Sequence, residues 1–252
     1  MRAVFSLAFV LVLPFACSAD SSKGETREDF CGRWGSAVCS DDVASTCGAA
    51  NADACRLSQE RFCLTLVPSN GFVADRADAC ISAVKSAYSD LDLTADELAT
   101  VLRLAAPCDQ LVRGPRGTGE SCMSRLECDG PGGYDCVFKA GEASGRCEKP
   151  AVAQPGRDCS ADNAVCTDGF YCNGSNCIEG ATTGNACMRN DQCASGFCGP
   201  TKLCTAGLAV NAPCTLDEEC ASSLCYRFSA TERVCTDRVR LSRTDPLCDN
   251  AR

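Results

Sequence analysis

The sequence predicts small disulfide-rich modules, with short hairpins and little regular structure, preceded by a disulfide-linked helical domain. Three observations lead there. Twenty-five of 252 residues are cysteine and none is histidine, a composition that marks an exported chain whose modules rely on cross-links in place of a large core. From Cys122 onward the cysteines fall into four groups of four, and ahead of them apolar residues recur at helical spacing.

The chain opens with Met1-Arg2, an apolar run from Ala3 to Phe15, and the small residues of Cys17-Ser18-Ala19, which reads as a signal peptide over residues 1–19. Two processing routes are open. Cleavage after Ala19 releases a diffusible protein, whereas cleavage before Cys17 makes that cysteine the lipidated first residue of a lipoprotein. Ala16 suits a lipobox; Pro14 and Phe15 depart from one. The apolar run is shorter than the roughly 20 residues of a spanning helix, so membrane attachment is expected only through a lipid on Cys17. Residues 20–27 are polar and read as a flexible tether.

Residues 28–112 read as a helical cysteine-rich domain. Cys31, Cys39, Cys47, Cys55 and Cys63 recur every eight residues. On one helix that spacing is ~12 Å, beyond the ~7 Å limit between bridged Cα atoms, so these cysteines must bridge between helices or across turns. Gly48-Ala49-Ala50-Asn51 is a candidate turn. Ala77, Cys80, Ile81, Val84, Ala87 and Tyr88 then share one helical face. Thr94-Ala95-Asp96-Glu97 reads as a capping box opening a helix whose buried stripe is Leu98, Val101, Leu102 and Ala105, stopped by Pro107 before Cys108.

The repeats follow. Repeat 1 (119–148) holds Cys122, Cys128, Cys136 and Cys147; repeat 2 (156–178) holds Cys159, Cys166, Cys172 and Cys177. Repeat 3 (184–205) holds Cys187, Cys193, Cys198 and Cys204; repeat 4 (211–236) holds Cys214, Cys220, Cys225 and Cys235. Three residues before each first cysteine stands Gly119, Gly156, Gly184 or Asn211, residue types that tolerate positive φ, so one turn is expected to open every unit. A bulky residue at or near each third cysteine, Tyr134, Tyr171, Phe197 or Leu224, is expected to cover disulfides that modules this short cannot bury otherwise.

Cys187-Met188-Arg189-Asn190-Asp191-Gln192-Cys193 and Cys214-Thr215-Leu216-Asp217-Glu218-Glu219-Cys220 resemble the cysteine-rich repeat of the Dickkopf N-terminal type. The whole chain is similar to uncharacterised cysteine-rich exported proteins and lipoproteins of Gram-negative bacteria. The resemblance covers residues 119–236, rests mainly on cysteine spacing and implies no specific activity. It implies an extracellular or outer-membrane, cell-surface location.

With Cys17 removed or lipidated, 24 cysteines remain. Four repeats close internally, by any of three connectivities each, with first-to-third and second-to-fourth preferred. The seven cysteines of the helical domain and Cys248 of the tail (237–252) are each an odd set. Cys248 is therefore expected to return to the helical domain, the alternative being a covalent dimer.

Chemistry is sparse. Without histidine or a Cys-x-x-Cys pair, disulfides are strongly favoured over zinc thiolates, a thioredoxin-type centre lacks its motif, a nucleophilic cysteine lacks its partner, and a Ser-His-Asp triad is excluded. No phosphate-binding or EF-hand spacing appears, and no cofactor is expected. A formal charge of −9 disfavours nucleic acid and anionic lipid as partners. Arg233, Arg238, Arg240 and Arg243 alternate with acids and read as ordinary solvated surface; Trp34 reads as core. Asn173-Gly174-Ser175 matches a glycosylation sequon and reads as a turn. The expected function is that of a non-enzymatic scaffold displaying loops for protein or cell-surface recognition. The alternative is a protease inhibitor using the loops Val137 to Arg146, with Lys139, and Tyr226 to Val234, with Arg227. A secreted enzyme is a remote third.

Overall fold

The computed structural model describes residues 24–139, 142–229 and 231–252. The residues read as a signal peptide, Cys17 among them, and most of those read as a tether lie outside the described residues.

Helix α1 (Arg27–Val38) starts at Thr26, whose side chain accepts from the Asp29 amide while Asp29 reaches back, a complete capping box. Ser40 caps α2 (Asp41–Cys47), which ends at Gly48 in the left-handed conformation, and Asn51 caps α3 (Ala52–Leu66). The turn read from Gly48 to Asn51 is thus the α2–α3 connection. Helix α4 (Ala77–Ala87) buries Ala77, Cys80, Val84 and Ala87 and leaves Ile81 half-buried. Strand β1 (Asp92–Thr94) leads into α5 (Ala95–Arg103), whose capping box joins Thr94 and Glu97. That helix ends earlier than Pro107 requires. Leu104 takes a left-handed conformation (φ 51°), so Ala105 lies past the helix end and is only half-buried.

Cys31–Cys63 and Cys39–Cys55 staple α1 to α3, and Cys80–Cys108 ties α4 to the turn after α5. Between the helices lies one apolar core holding Phe30, Trp34, Val38, Val84, Leu93 and Val101. Trp34 is fully buried and donates its indole N–H to Gln59 Oε1 at 3.3 Å, satisfying both groups.

The C-terminus completes this core. Strand β11 (Arg238–Arg240) pairs antiparallel with β1, Val239 facing Leu93. A 3-10 helix over Pro246–Ala251 buries Leu247, Cys248 and Ala251, and Cys248 is bonded to Cys47. Leu224 and Tyr226 of repeat 4 belong to the same cluster. Residues 237–252 are therefore part of the helical unit's packing.

Repeat 1 forms a three-stranded antiparallel sheet with β4 (Gly145–Glu148) between β2 (Ser121–Cys122) and β3 (Asp135–Val137). Repeat 2 contributes the hairpin of β7 (Phe170–Cys172) and β8 (Cys177–Glu179). Repeat 3 is held by isolated bridges such as Ala186 to Leu203, and repeat 4 by β9 (Cys225–Arg227) with β10 (Arg233–Cys235). One pair departs from the hairpin expectation: β5 (Ala151–Ala153), in the linker before repeat 2, runs parallel to β6 (Ala164–Cys166).

Every repeat pairs its first cysteine with its third and its second with its fourth: Cys122–Cys136 and Cys128–Cys147, Cys159–Cys172 and Cys166–Cys177, Cys187–Cys198 and Cys193–Cys204, Cys214–Cys225 and Cys220–Cys235. The opening turn is also common to all four. Gly119, Gly156, Gly184 and Asn211 have φ between 70° and 90°, and each donates its amide to the carbonyl of the fourth cysteine at 2.8–2.9 Å. The covering residues behave unequally. Tyr134 packs on the repeat 1 disulfides, whereas Leu224 is drawn into the helical core.

Candidate functional site

The 24 cysteines from Cys31 onward form twelve disulfides. In each repeat three sulfurs lie within 4.8 Å of one another, for example those of Cys122, Cys128 and Cys147. The crowding arises because the two crossed bridges stack. Bonded pairwise, these sulfurs are not thiolates and offer neither a metal-ligand set nor a nucleophile. So many bridges place the chain in an oxidising environment.

Lys139 and Arg227, the basic residues singled out in the two loops read as reactive, both make contacts among the described residues. Lys139 Nζ is held by repeat 2, donating to the carbonyls of Cys159 (3.4 Å) and Ala161. Arg227 sits in β9, its Nε donating to the Ser229 carbonyl at 3.0 Å. Asn173 Oδ1 accepts from the amides of Ser175 and Asn176, an Asx turn completed by Gly174 at φ 100°.

Two further repeat signatures emerge that the cysteine spacing alone does not reveal. The first is a polar cap before the second cysteine. Glu127 accepts from the Met123 amide (3.1 Å), Gln192 from Met188 (2.7 Å) and Glu219 from Thr215 (2.6 Å). Each fixes the loop after the first cysteine over a short 3-10 turn. The bonds Glu219 accepts from the Thr215 amide, the Thr215 hydroxyl and the Leu216 amide lower its pKa below the ordinary glutamate value. The second is a glycine where the incoming linker crosses the next repeat. A Cβ on Gly180 would meet Ala194 N at 2.6 Å, and one on Gly207 would meet Ala221 N at 2.6 Å; Gly114 abuts Glu127 and Cys128 in the same way. Repeat 2 has neither device. Val165 stands where the cap belongs, the first two cysteines are seven residues apart instead of six, and the β5–β6 pair replaces the glycine crossing. The signal was available in the sequence as Glu127, Gln192 and Glu219 each preceding a cysteine.

The cap loops hold apolar side chains in solvent. Met123 is 67 % exposed, Met188 77 % and Leu216 55 %. They are the residue after the first cysteine in repeats 1 and 3, and the second after it in repeat 4.

A concave region opens where repeat 4 meets α5. The pair Arg103–Asp217 (2.8 Å) crosses it. On one side is a cleft of about 440 Å3 lined by Ala95, Asp96, Ala99, Ser222 and Asp237; on the other, one of about 470 Å3 lined by Leu216, Tyr226, Arg233 and Leu247. Leu102, Arg103 and Asp217 line both. Beneath the second side, Tyr226 donates its hydroxyl to the buried Asp245 at 2.7 Å, and Asp245 also accepts from the Leu247 amide. Burial, and then the Asp245 carboxylate, push the Tyr226 hydroxyl well above its ordinary pKa; burial does the same to Tyr88.

No helix among the described residues is long and apolar enough to cross a membrane. Comparison of the chain with family models, curated proteins and solved structures returns no match.

Proposed function

We propose that this protein is a non-enzymatic exported scaffold that presents the loops of its cysteine-rich repeats for protein or cell-surface interaction. When Cys17 is lipidated it stays at the envelope as a lipoprotein; when cleavage falls after Ala19 it diffuses. The observation that carries the reading is the recurrence of an exposed apolar side chain on the same capped loop, Met123, Met188 and Leu216. Exposed apolar residues held on rigid, cross-linked loops are costly to leave in water and suit a contact surface. Cross-linking supplies the rigidity, so little ordering entropy is lost on binding.

The test is site-specific photo-cross-linking in the native host from positions 123 and 188, with position 57 on α3 as the exposed apolar control. Capture of the same protein or glycan from 123 and 188, and not from 57, supports the reading. Indiscriminate or absent cross-linking from the repeat positions overturns it.

A further inference from the structure

The acidic side of the cleft at α5 carries unbalanced charge. Asp96, in the first turn of α5, and Asp237, just after repeat 4, both line it and are exposed. Among the described residues neither carboxylate has an ion pair or a side-chain hydrogen bond. Arg103 is the one basic residue lining this side, and it is already bonded to Asp217. Two carboxylates therefore face a concave space without a counter-charge, above the apolar surface of Ala95, Ala99 and Leu102. Ser222, from repeat 4, also lines this side, and its buried hydroxyl makes no hydrogen bond among the described residues. Beyond the Arg103–Asp217 pair, Leu216, Tyr226 and Leu247 offer apolar surface on the second side, whose rim also carries Arg227 and Arg233.

We propose that this cleft binds an extended segment of a protein partner, seating a lysine or arginine side chain between Asp96 and Asp237 and an apolar neighbour against Leu102, Leu216 and Leu247. A basic side chain fits both properties of the first side. Its methylene stem lies along apolar surface while its charged head reaches a carboxylate. Complementary charge selects the partner and orients it more than it adds affinity. The surface shares Leu216 with the repeat 4 loop of the proposed function but not Met123 or Met188, so cross-linking from positions 123 and 188 tests that reading independently of this one.

The experiment titrates the isotope-labelled, fully oxidised protein with the peptide acetyl-Gly-Leu-Lys-Leu-Gly-amide and follows backbone amide shifts. The same peptide with Gln or Glu in place of Lys serves as comparison. Saturable shifts confined to residues 95–103, 215–227, 236–238 and 246–250, seen with the Lys peptide and absent with the Glu peptide, are expected. In the Asp96→Asn/Asp237→Asn variant, its fold checked by circular dichroism, the Lys peptide is expected to bind about tenfold more weakly, the size of two partly exposed ion pairs. Equal binding of the Lys and Gln peptides, unchanged affinity in the double variant, or no localised shift at millimolar peptide overturns the proposal.

Discussion

Cys47, the last residue of α2, is disulfide-bonded to Cys248 across 201 residues of sequence, with a Cα separation of 4.9 Å. It is the one bridge that joins the beginning of the folded chain to its end. Around it Leu247, Ala251 and Val239 enter the core built by α1 to α5, and Ser58 donates to the carbonyl of Arg252 at 2.6 Å. The repeats thus leave the helical domain at Arg113 and are returned to it.

Replacing both cysteines, Cys47→Ala with Cys248→Ala, removes that closure without leaving a free thiol. A long loop gives the largest denatured-state entropy, and the expected loss is about 3 to 5 kcal/mol by the chain-entropy account. Nine of the other bridges, Cys80–Cys108 and the eight of the repeats, lie within this loop and shorten it, which favours the lower figure. Denaturant unfolding followed at Trp34 measures it; a loss below about 1 kcal/mol would show that apolar packing alone holds the tail.

The second lock is Tyr226 on Asp245. Tyr226→Phe removes a hydrogen bond to a buried carboxylate and is expected to cost about 1.5 to 3 kcal/mol, with faster hydrogen exchange at Val239 and Leu241. Alkaline pH tests the same contact. Because the folded-state pKa values of Tyr226 and Tyr88 are raised, the stability they supply is complete below the unfolded value of about 10 and falls as pH rises above it. Thermal melts from pH 8 to 11 should show that fall, and Phe at both positions should flatten it.

Much of this architecture can be read in the residues, and the limits are physical. The positive-φ turn at Gly119, Gly156, Gly184 and Asn211 and the capping box at Thr94 follow from local rules of spacing and φ preference, and parity points to the return of Cys248; the pairing order in the repeats is one of three that spacing leaves open, and the fold selects it. Tertiary choices do not follow from such rules. Nothing in Leu224 distinguishes it from Tyr134, yet one covers helices and the other disulfides, because only repeat 4 is carried back to the core. The cleft at Arg103 and Asp217 joins residues 114 apart, a contact no periodicity encodes. The hold of repeat 2 on Lys139 is likewise a matter of how successive repeats stack.

The polar cap gives a comparison within one chain. Gln192 already performs in repeat 3 the role of Glu219 in repeat 4, so Glu219→Gln should be nearly neutral at pH 7, whereas Glu219→Ala should cost about 1 kcal/mol, as loss of a capping acceptor does. The acid limb follows from sign. A lowered folded-state pKa supplies stability that is present above the ordinary glutamate value and is lost as pH falls below it. Exposure keeps that contribution small, and Glu219→Gln should remove it. Melting temperatures at pH 3 and pH 7 for the three proteins decide the point.

Gly180→Ala and Gly207→Ala test the linker crossing. The added methyl would meet backbone of the next repeat at 2.6 Å, too close for any side-chain adjustment, so the linker must move away and break Ala194 N to Ala181 O or Ala221 N to Leu208 O. A local cost of about 1 to 3 kcal/mol is expected. Gly156→Ala, where a Cβ meets nothing but φ is 73°, should strain only its own turn. Hydrogen exchange at Ala194 and Ala221 separates the cases: protection unchanged in the linker variants would mean that the crossing does not fix the repeats.

Reduction should dismantle the molecule in a fixed order. The buried clusters of repeats 1, 3 and 4 are made almost entirely of cysteine, so each bridge there supplies stability that no apolar side chain replaces, roughly 2 to 4 kcal/mol apiece. The helical unit buries Phe30, Trp34, Val84, Leu93 and Val101 besides its cysteines, so it is expected to stay packed when its bridges are reduced. Under graded dithiothreitol, exchange protection at Gly184 and Cys204 should vanish while α4 and the helical far-ultraviolet signal persist. Repeat 4, anchored through Leu224 and Tyr226, should outlast repeat 3. Simultaneous loss of both signals would mean that the helices depend on Cys31–Cys63 and Cys39–Cys55 as heavily as the repeats depend on theirs, and that the apolar core is not self-sufficient.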